Sequence, residues 1–166
     1  MPSYFPDHTD LGIGHALVTM RADEVAAVAD IMMASEPWAK YGYERRTIED
    51  FLVGTVEAGM ARVVTPTDGP REVVGVATVQ PGFLGGRYLE LLALRDDRRG
   101  RGLGRRVIEA VCYEMPVHMR DLFVLVAESN QKAISFYRHL GFRDVGDLPG
   151  LIRLGKVERL IWLRFR

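Results

Sequence analysis

The chain is predicted to fold as an α/β (α+β) domain built on a mixed central sheet of about seven strands with flanking helices. Three observations predict it. Short apolar or β-branched runs alternate with stretches of helical spacing along the 166 residues. The turn cluster PTDGP, with Asp68 and Gly69 at its tip, breaks Ala61 to Val79 into a hairpin. Two nearly continuous apolar runs, YLELLAL and Leu122 to Ala127, read as strands buried on both faces and are separated by an amphipathic stretch of helix length. Strands joined through a crossover helix run parallel and hairpin strands antiparallel, so the sheet is expected to be parallel only in its middle.

In order, residues 1–14 are rich in Pro, Gly and Asp and read as a surface arm, followed by one domain over residues 15–166. His15 to Met20 alternates as a strand, and Val25, Val28 and Met32 place a helix over Arg21 to Met33. SEPWAKYGYERR reads as a loop, and Thr47 as the cap of a helix reaching about Val56. After the hairpin, PGFLGG is expected as a loop. Leu103, Val107, Val111 and Met115 recur at helical intervals up to Pro116. Asn130 to Leu140 is helical and stopped by Gly141. Phe142 to Val145 and Val157 to Phe165 close the chain as strands.

Composition narrows the function. Apolar residues make up 48% and charged residues 27%, the balance of a packed globular chain, and 22 basic residues match 22 acidic ones. No net field draws the chain to nucleic acid or to an anionic membrane, and no run is long enough to span a bilayer. The single Cys112 cannot form an internal disulfide and no leader opens the chain, so a cytoplasmic protein is expected. His118 and His139 have no partner at ligand spacing, so no metal is expected.

The most informative segment is LALRDDRRGRGLGRRVIEAV, which sets Gly100, Gly102 and Gly104 at alternate positions between a buried strand and a helix. Bare glycine backbone admits a phosphate, and the first amides of a helix lack internal partners and carry partial positive charge. Arg95, Arg98, Arg99, Arg101, Arg105 and Arg106 crowd the same stretch. A dinucleotide fingerprint needs a third glycine where Arg105 or Val107 stands, and no Gly-Lys-Ser/Thr string exists for a P-loop. A turn that only caps its helix would also explain the glycines.

Arg99, Gly102 and Gly104 resemble the Arg/Gln-x-x-Gly-x-Gly/Ala signature of the GNAT superfamily of acyl-CoA-dependent N-acyltransferases. NQKAISFYRHLGF is similar to that family's second signature and follows the next strand in the right order. The resemblance covers Tyr88 to Phe142. It implies a GNAT-like domain with a splayed parallel central pair, an acetyl-CoA donor, no metal, and direct attack of an amine on the thioester. It further implies that Arg99, Gly100, Arg101, Gly102, Leu103, Gly104 and Arg105 surround the pyrophosphate, and that the donor's arm runs along Leu92, Ala93 and Leu94. The Leu92 backbone would be the oxyanion contact, Asn130 would touch the donor's arm, and Tyr137 would protonate the leaving thiolate. Packing of the helix would equally explain Tyr137.

Glu90 shares a strand face with Leu92 and Tyr88 and is the candidate base, with Tyr88 as the fallback; an arginine partner or substrate orientation would also suit Glu90. Cys112 lies in an apolar stripe with Ile108 and Met115, which argues against a covalent acyl-cysteine. Trp38, Tyr41 and Tyr43 are candidates to wall an amine pocket, with Glu36 or Glu44 attracting its charge, and simple loop packing is the alternative. A small-molecule amine is the expected acceptor, with a peptide N-terminus or lysine, or an idle CoA-binding regulatory module, as alternatives. The alternating VERLIWLRFR suggests the last strand as the edge of a homodimer.

Overall fold

The computed structural model describes residues 5–165, which divide into two compact units. One takes the chain up to Val79 together with Leu91–Glu114; the other takes Gln80–Glu90 and the chain from Met115 onward. The described residues contain eight strands in one mixed sheet, one more than expected.

In the first unit the strand order is β1 (His8–Asp10), β2 (His15–Thr19), β3 (Ala61–Pro66), the start of β4 (Gly75–Phe83) and the end of β5 (Gly86–Leu94). β1 to β4 pair antiparallel in sequence order. The additional strand is β1, inside the segment expected to be an arm. Gly12 and Gly14 take positive φ (73° and 71°), turning the chain so that Thr9 pairs with Leu17, and Phe5 and Leu11 become buried. The arm's residues 1–4 lie outside the described residues.

The helices of this unit are α1 (Val25–Met33), α2 (Trp38–Tyr41), α3 (Arg45–Glu57) and α4 (Leu103–Tyr113). The expected loop thus holds one helical turn, ended by Gly42 at φ 64°. α3 starts two residues before Thr47, the expected cap, with Glu44 at its N-cap position. Arg45 holds that first turn by bonding Glu49 one turn on and Asp30 of α1. Val28, Ala29 and Met32 of α1 and Ile48 and Leu52 of α3 join Val18, Val63, Val76 and Leu91 in one core, where each large aliphatic contributes roughly 1.5–3 kcal/mol. α4 buries Leu103, Val107, Ile108, Val111 and Cys112 along one stripe; Met115 is buried just beyond its end.

A buried ion pair fastens β3 to the end of α4. The Arg62 guanidinium donates to Glu114 Oε2 at 2.5 Å, to Thr9 Oγ1 at 3.0 Å and to the Leu17 carbonyl at 2.7 Å, and the Thr9 hydroxyl donates to the other Glu114 oxygen. The side chains of Arg62 and Glu114 are only 4% and 6% exposed.

In the second unit the order is the end of β4, the start of β5, β6 (Asp121–Ala127), β8 (Val157–Arg164) and β7 (Arg143–Pro149), with α5 (Gln131–His139) linking β6 to β7. β5 and β6, connected through α4, pair parallel from Arg87↔Leu122 to Leu89↔Val124, as expected for the middle of the sheet. β8 pairs antiparallel with β6 on one side and β7 on the other. The last strand is therefore interior, and the expectation that it forms a dimer edge is corrected: the edge is β7. β7 is blunted by a bulge between Asp144 and Gly146, by Pro149, and by carboxylates tied to Arg138 and Arg159.

PGFLGG is not a loop throughout. β4 continues to Phe83, whose ring packs on Tyr88 at 5.2 Å and Phe123 at 5.3 Å, and the turn shrinks to Leu84 and Gly85 with φ 48° and 79°. At Gly86 an added Cβ would stand 2.2 Å from the Asp121 carbonyl oxygen, so β5 and β6 meet there only because the side chain is absent. Gly86→Ala is expected to destabilise the protein by about 1–3 kcal/mol, read as a lower urea midpoint; an unchanged midpoint would contradict this close approach.

Candidate active site

The glycine-rich turn is built by the end of β5 and the start of α4 in the first unit. After Leu94 the chain makes a 3-10 turn over Asp96–Arg98, then passes through Gly100 (φ 72°) to Gly102 (φ 79°), the N-cap of α4. Both glycines hold left-handed backbone that L side chains adopt at a cost of roughly 1–2 kcal/mol. A Cβ at either would meet nothing within 4 Å, so conformation, not crowding, demands glycine, and the space over the turn is open. Gly102 supplies no side chain to cap the first amides of α4, which leaves them to an outside acceptor.

The crowd of arginines is mostly engaged. Arg95 holds Glu72 at 2.5 Å and Asp97 at 2.6 Å, while Arg105 and Arg106 share Glu109. Arg99 reaches the Leu94 carbonyl at 3.0 Å, Ser35 Oγ at 2.9 Å and Asp96 at 3.1 Å, so its side chain braces the turn against β5 and the end of α1. Arg101 is exposed and makes no ion pair among the described residues. A groove of about 420 Å³ lies beside this brace, lined by Asp30, Ile31, Ala34, Ser35, Arg95, Asp96 and Asp97. Its three carboxylates make it a poor seat for phosphate.

Of the residues expected on the donor's arm, Ala93 is buried at 4% exposure, and Leu92 and Leu94 are half-buried. The expected amine-pocket residues are largely packed or paired. Tyr41 is 4% exposed, so its ring has little surface to offer a ligand. Trp38 and Tyr43 pack against the α1/α3 core, and Glu36 is held by Lys40 at 2.8 Å. Cys112 is buried at 2% exposure.

In the second unit, strand alternation and α5 bring titratable groups together. Tyr88 and Glu90 lie two residues apart on one face of β5, and Glu90 follows directly on the last β5–β6 pair. Burial raises the Glu90 carboxyl above the usual carboxylate range, opposed by a hydrogen bond from Gln80. Its Oε2 is buried without a hydrogen-bond partner among the described residues. Burial, reinforced by Glu90 and Glu158, pushes the Tyr88 phenol up to about 12, so it stays protonated at neutral pH and is a weak candidate for a base.

Tyr137 is 6% exposed, with its ring edge-on to Phe136 at 5.1 Å and Phe142 at 5.2 Å. Burial, with Tyr88 adding to it, holds its phenol well above the ordinary tyrosine range. Asn130 caps α5 by accepting from the Ala133 amide at 3.1 Å, leaving its side-chain NH₂ for other partners. Two polar residues near this group carry no motif, Gln80 and Glu158. The only signal for Glu158 is its place in the alternation of β8, in phase with Leu160 and Trp162.

Residues 81–147 match the FR47-like protein family. The chain is 29% identical over 110 residues to the peptidyl-lysine N-acetyltransferase YjaB of Salmonella typhimurium, spanning 61% of this chain and 73% of that protein. Its fold is similar to an acetyltransferase from Thermus thermophilus, with a TM-score of 0.75 at 22% identity over 92% of this chain and 98% of that one. It is also similar to RimL, the ribosomal L7/L12 alpha-N-protein acetyltransferase in complex with coenzyme A, with a TM-score of 0.72 at 14% identity over 95% and 98% of the two chains. The family match over residues 81–147, the acetyltransferase relative and the shared fold together support a GNAT-like N-acetyltransferase.

Proposed function

We propose that the protein transfers an acetyl group from acetyl-CoA to a primary amine by direct attack in a ternary complex. The observation that carries the donor assignment is the bare left-handed turn at Gly100 and Gly102, open above and running into the uncapped amides of α4. In this reading the amides from Arg101 to Arg105 bind the pyrophosphate, Arg99 braces the turn, and the arm follows Leu92 to Leu94, with Asn130 contacting it through its free NH₂.

The chemistry then divides among three groups. Glu90 takes a proton from the acceptor ammonium, directly or through a water, and the freed amine forms the new C–N bond at the thioester carbonyl. The Leu92 amide stabilises charge on the carbonyl oxygen, and Tyr137 gives its proton to the sulfur as the C–S bond breaks. Cys112, being buried, takes no part.

A lysine ε-amine in a peptide is the first acceptor to test, since the Salmonella relative is a peptidyl-lysine acetyltransferase. A free small amine is the second reading, supported by the enclosure of the Tyr88–Glu90–Tyr137 group. Thiol release from acetyl-CoA across a panel of lysine peptides, N-terminal peptides and small amines tests the function; binding of CoA without turnover on any of them would leave only an idle CoA-binding module. The same reading places the protein in the cytoplasm. It also includes a homodimer, through the exposed Leu151, Ile152 and Leu154 between β7 and β8 rather than through β8 itself; sedimentation as a monomer would remove that part.

The raised Glu90 carboxyl sets a pH dependence. The acid limb of kcat/KM is expected above the usual carboxylate range and is expected to disappear in Glu90→Gln; a limb that survives that substitution would assign the base elsewhere. Stability runs the other way. A raised folded value means the protonated form suits the fold, so Glu90's contribution is full below its unfolded pKa and is lost as pH rises through the folded one.

A further inference from the structure

We propose that Ser35 is a positioning residue of the donor site, whose hydroxyl anchors Arg99 and thereby holds the glycine-rich turn in the shape that receives the pyrophosphate. The proposal rests on the donor reading above and gives a role to the end of α1, which carries no motif.

The turn has little of its own to hold it. Gly100 and Gly102 take left-handed backbone, a Cβ at either would meet nothing within 4 Å, and residues 99–102 are all exposed. Glycine loses more backbone freedom on ordering than any other residue, so such a turn keeps one shape only if its ends are tied down. One end is the start of α4, where Leu103 is buried. The other is Arg99, whose guanidinium reaches Asp96 at 3.1 Å, the Leu94 carbonyl at 3.0 Å and Ser35 Oγ at 2.9 Å. Asp96 is exposed and lies three residues before Arg99, so that contact fastens the turn only to itself. Of the three partners, Ser35 alone comes from outside the β5–α4 connection.

Ser35 is itself a fixed point, 3% exposed. Its amide donates to the Met32 carbonyl at 2.9 Å, its carbonyl accepts from the Ala39 amide at 2.9 Å, and its hydroxyl donates to the Ile31 carbonyl at 2.6 Å. Ile31 and Met32 belong to the core shared with α3 and the sheet, so whatever is tied to Ser35 is tied to that core. A hydroxyl has one proton, and with that proton on Ile31 the oxygen meets Arg99 as an acceptor only; a guanidinium is a donor only, so the two fit in a single way. The bond is charge-assisted. Every nitrogen of Arg99 has a partner in β5, α1 or the turn, and its main chain runs straight into Gly100. Ser35 therefore acts through Arg99 and touches no donor atom in this account. Thr55 of α3 supplies a contrast: it is also buried, and its hydroxyl donates to the Leu52 carbonyl at 2.8 Å rather than to the turn.

The test combines calorimetric binding of coenzyme A, steady-state acetylation of a lysine peptide, and amide hydrogen exchange of the donor-free protein, for wild type, Ser35→Ala, Arg99→Met, their double variant and Thr55→Val. Ser35→Ala is expected to raise the Kd for CoA and the KM for acetyl-CoA by about three- to tenfold, the worth of one hydrogen bond, with little change in kcat or in the peptide KM. Amides of residues 99–103 are expected to exchange faster in it before any donor is added. Thr55→Val is expected to move none of these, whatever it does to the melting temperature. Arg99→Met is expected to weaken CoA binding, and adding Ser35→Ala to it should cost nothing further, because the bond is already gone. An unchanged Kd in Ser35→Ala, unchanged exchange in the turn, or losses that add in the double variant would overturn the proposal. Should Ser35→Ala fail to fold, Ser35→Cys keeps the size with a much weaker acceptor and carries the same expectations. Wild type that binds no CoA would overturn the donor reading and the proposal together, whereas wild type that binds CoA but releases no thiol would overturn acetyl transfer alone.

Discussion

Tyr137→Phe is expected to lower the rate of amine acetylation by about a hundred- to ten-thousandfold, the usual contribution of a positioned general acid. The substitution isolates the hydroxyl. The ring keeps its edge-on contacts with Phe136 and Phe142, so α5 should stay packed and the melting temperature should change little. What is lost is a proton held firmly, because burial and then Tyr88 keep the phenol protonated well past the ordinary tyrosine range. The wild-type rate should accordingly show no alkaline fall from this group at neutral or mildly basic pH. A pH–rate profile of Tyr137→Phe that overlays the wild type at every pH would reduce Tyr137 to packing. Intact acetyl-CoA binding with lost turnover is the outcome that separates proton donation from a donor contact.

Glu114→Ala is expected to destabilise the protein by about 3–5 kcal/mol, because it leaves the Arg62 guanidinium buried without its carboxylate partner. Thr9 and the Leu17 carbonyl would remain as its partners, and neither is an anion. In a protein of this size such a loss corresponds to a fall in Tm of about 10 °C. The double variant Arg62→Met/Glu114→Leu should recover most of it, since removing both charges abolishes the desolvation cost that either alone leaves behind. Chemical denaturation of the three proteins checks this, and a double variant no better than Glu114→Ala would mean that the loss is of packing at the end of α4 rather than of charge pairing.

The parts legible in the sequence were those whose causes are local. Gly100 and Gly102 announce left-handed backbone by being glycine, Asn130 and Gly141 bracket α5 by capping chemistry, and Leu103, Val107 and Val111 declare the buried stripe of α4 by spacing alone. What stayed hidden depends on partners distant in sequence. Nothing in HTD marks a strand until Leu17 pairs with Thr9, and nothing in SEPWAKYGYE shows that Tyr41 is buried. The position of β8 is a topological fact: its alternation is real, but whether it forms an edge depends on β7 returning to its far side. The burial of Glu158 stayed hidden for the same reason, since its side depends on the register that sets it opposite Ala127.

The central claim is that the acetyl group passes from acetyl-CoA directly to an amine. Mass spectrometry of a reaction holding the protein, acetyl-CoA and a lysine peptide, with free thiol measured in the same sample, tests it most directly. One acetylated peptide amine is predicted for each thiol released, with Cys112 unmodified when the peptide is left out. Thiol release without acetylated peptide, or an acetyl group found on Cys112 in the absence of peptide, would contradict it.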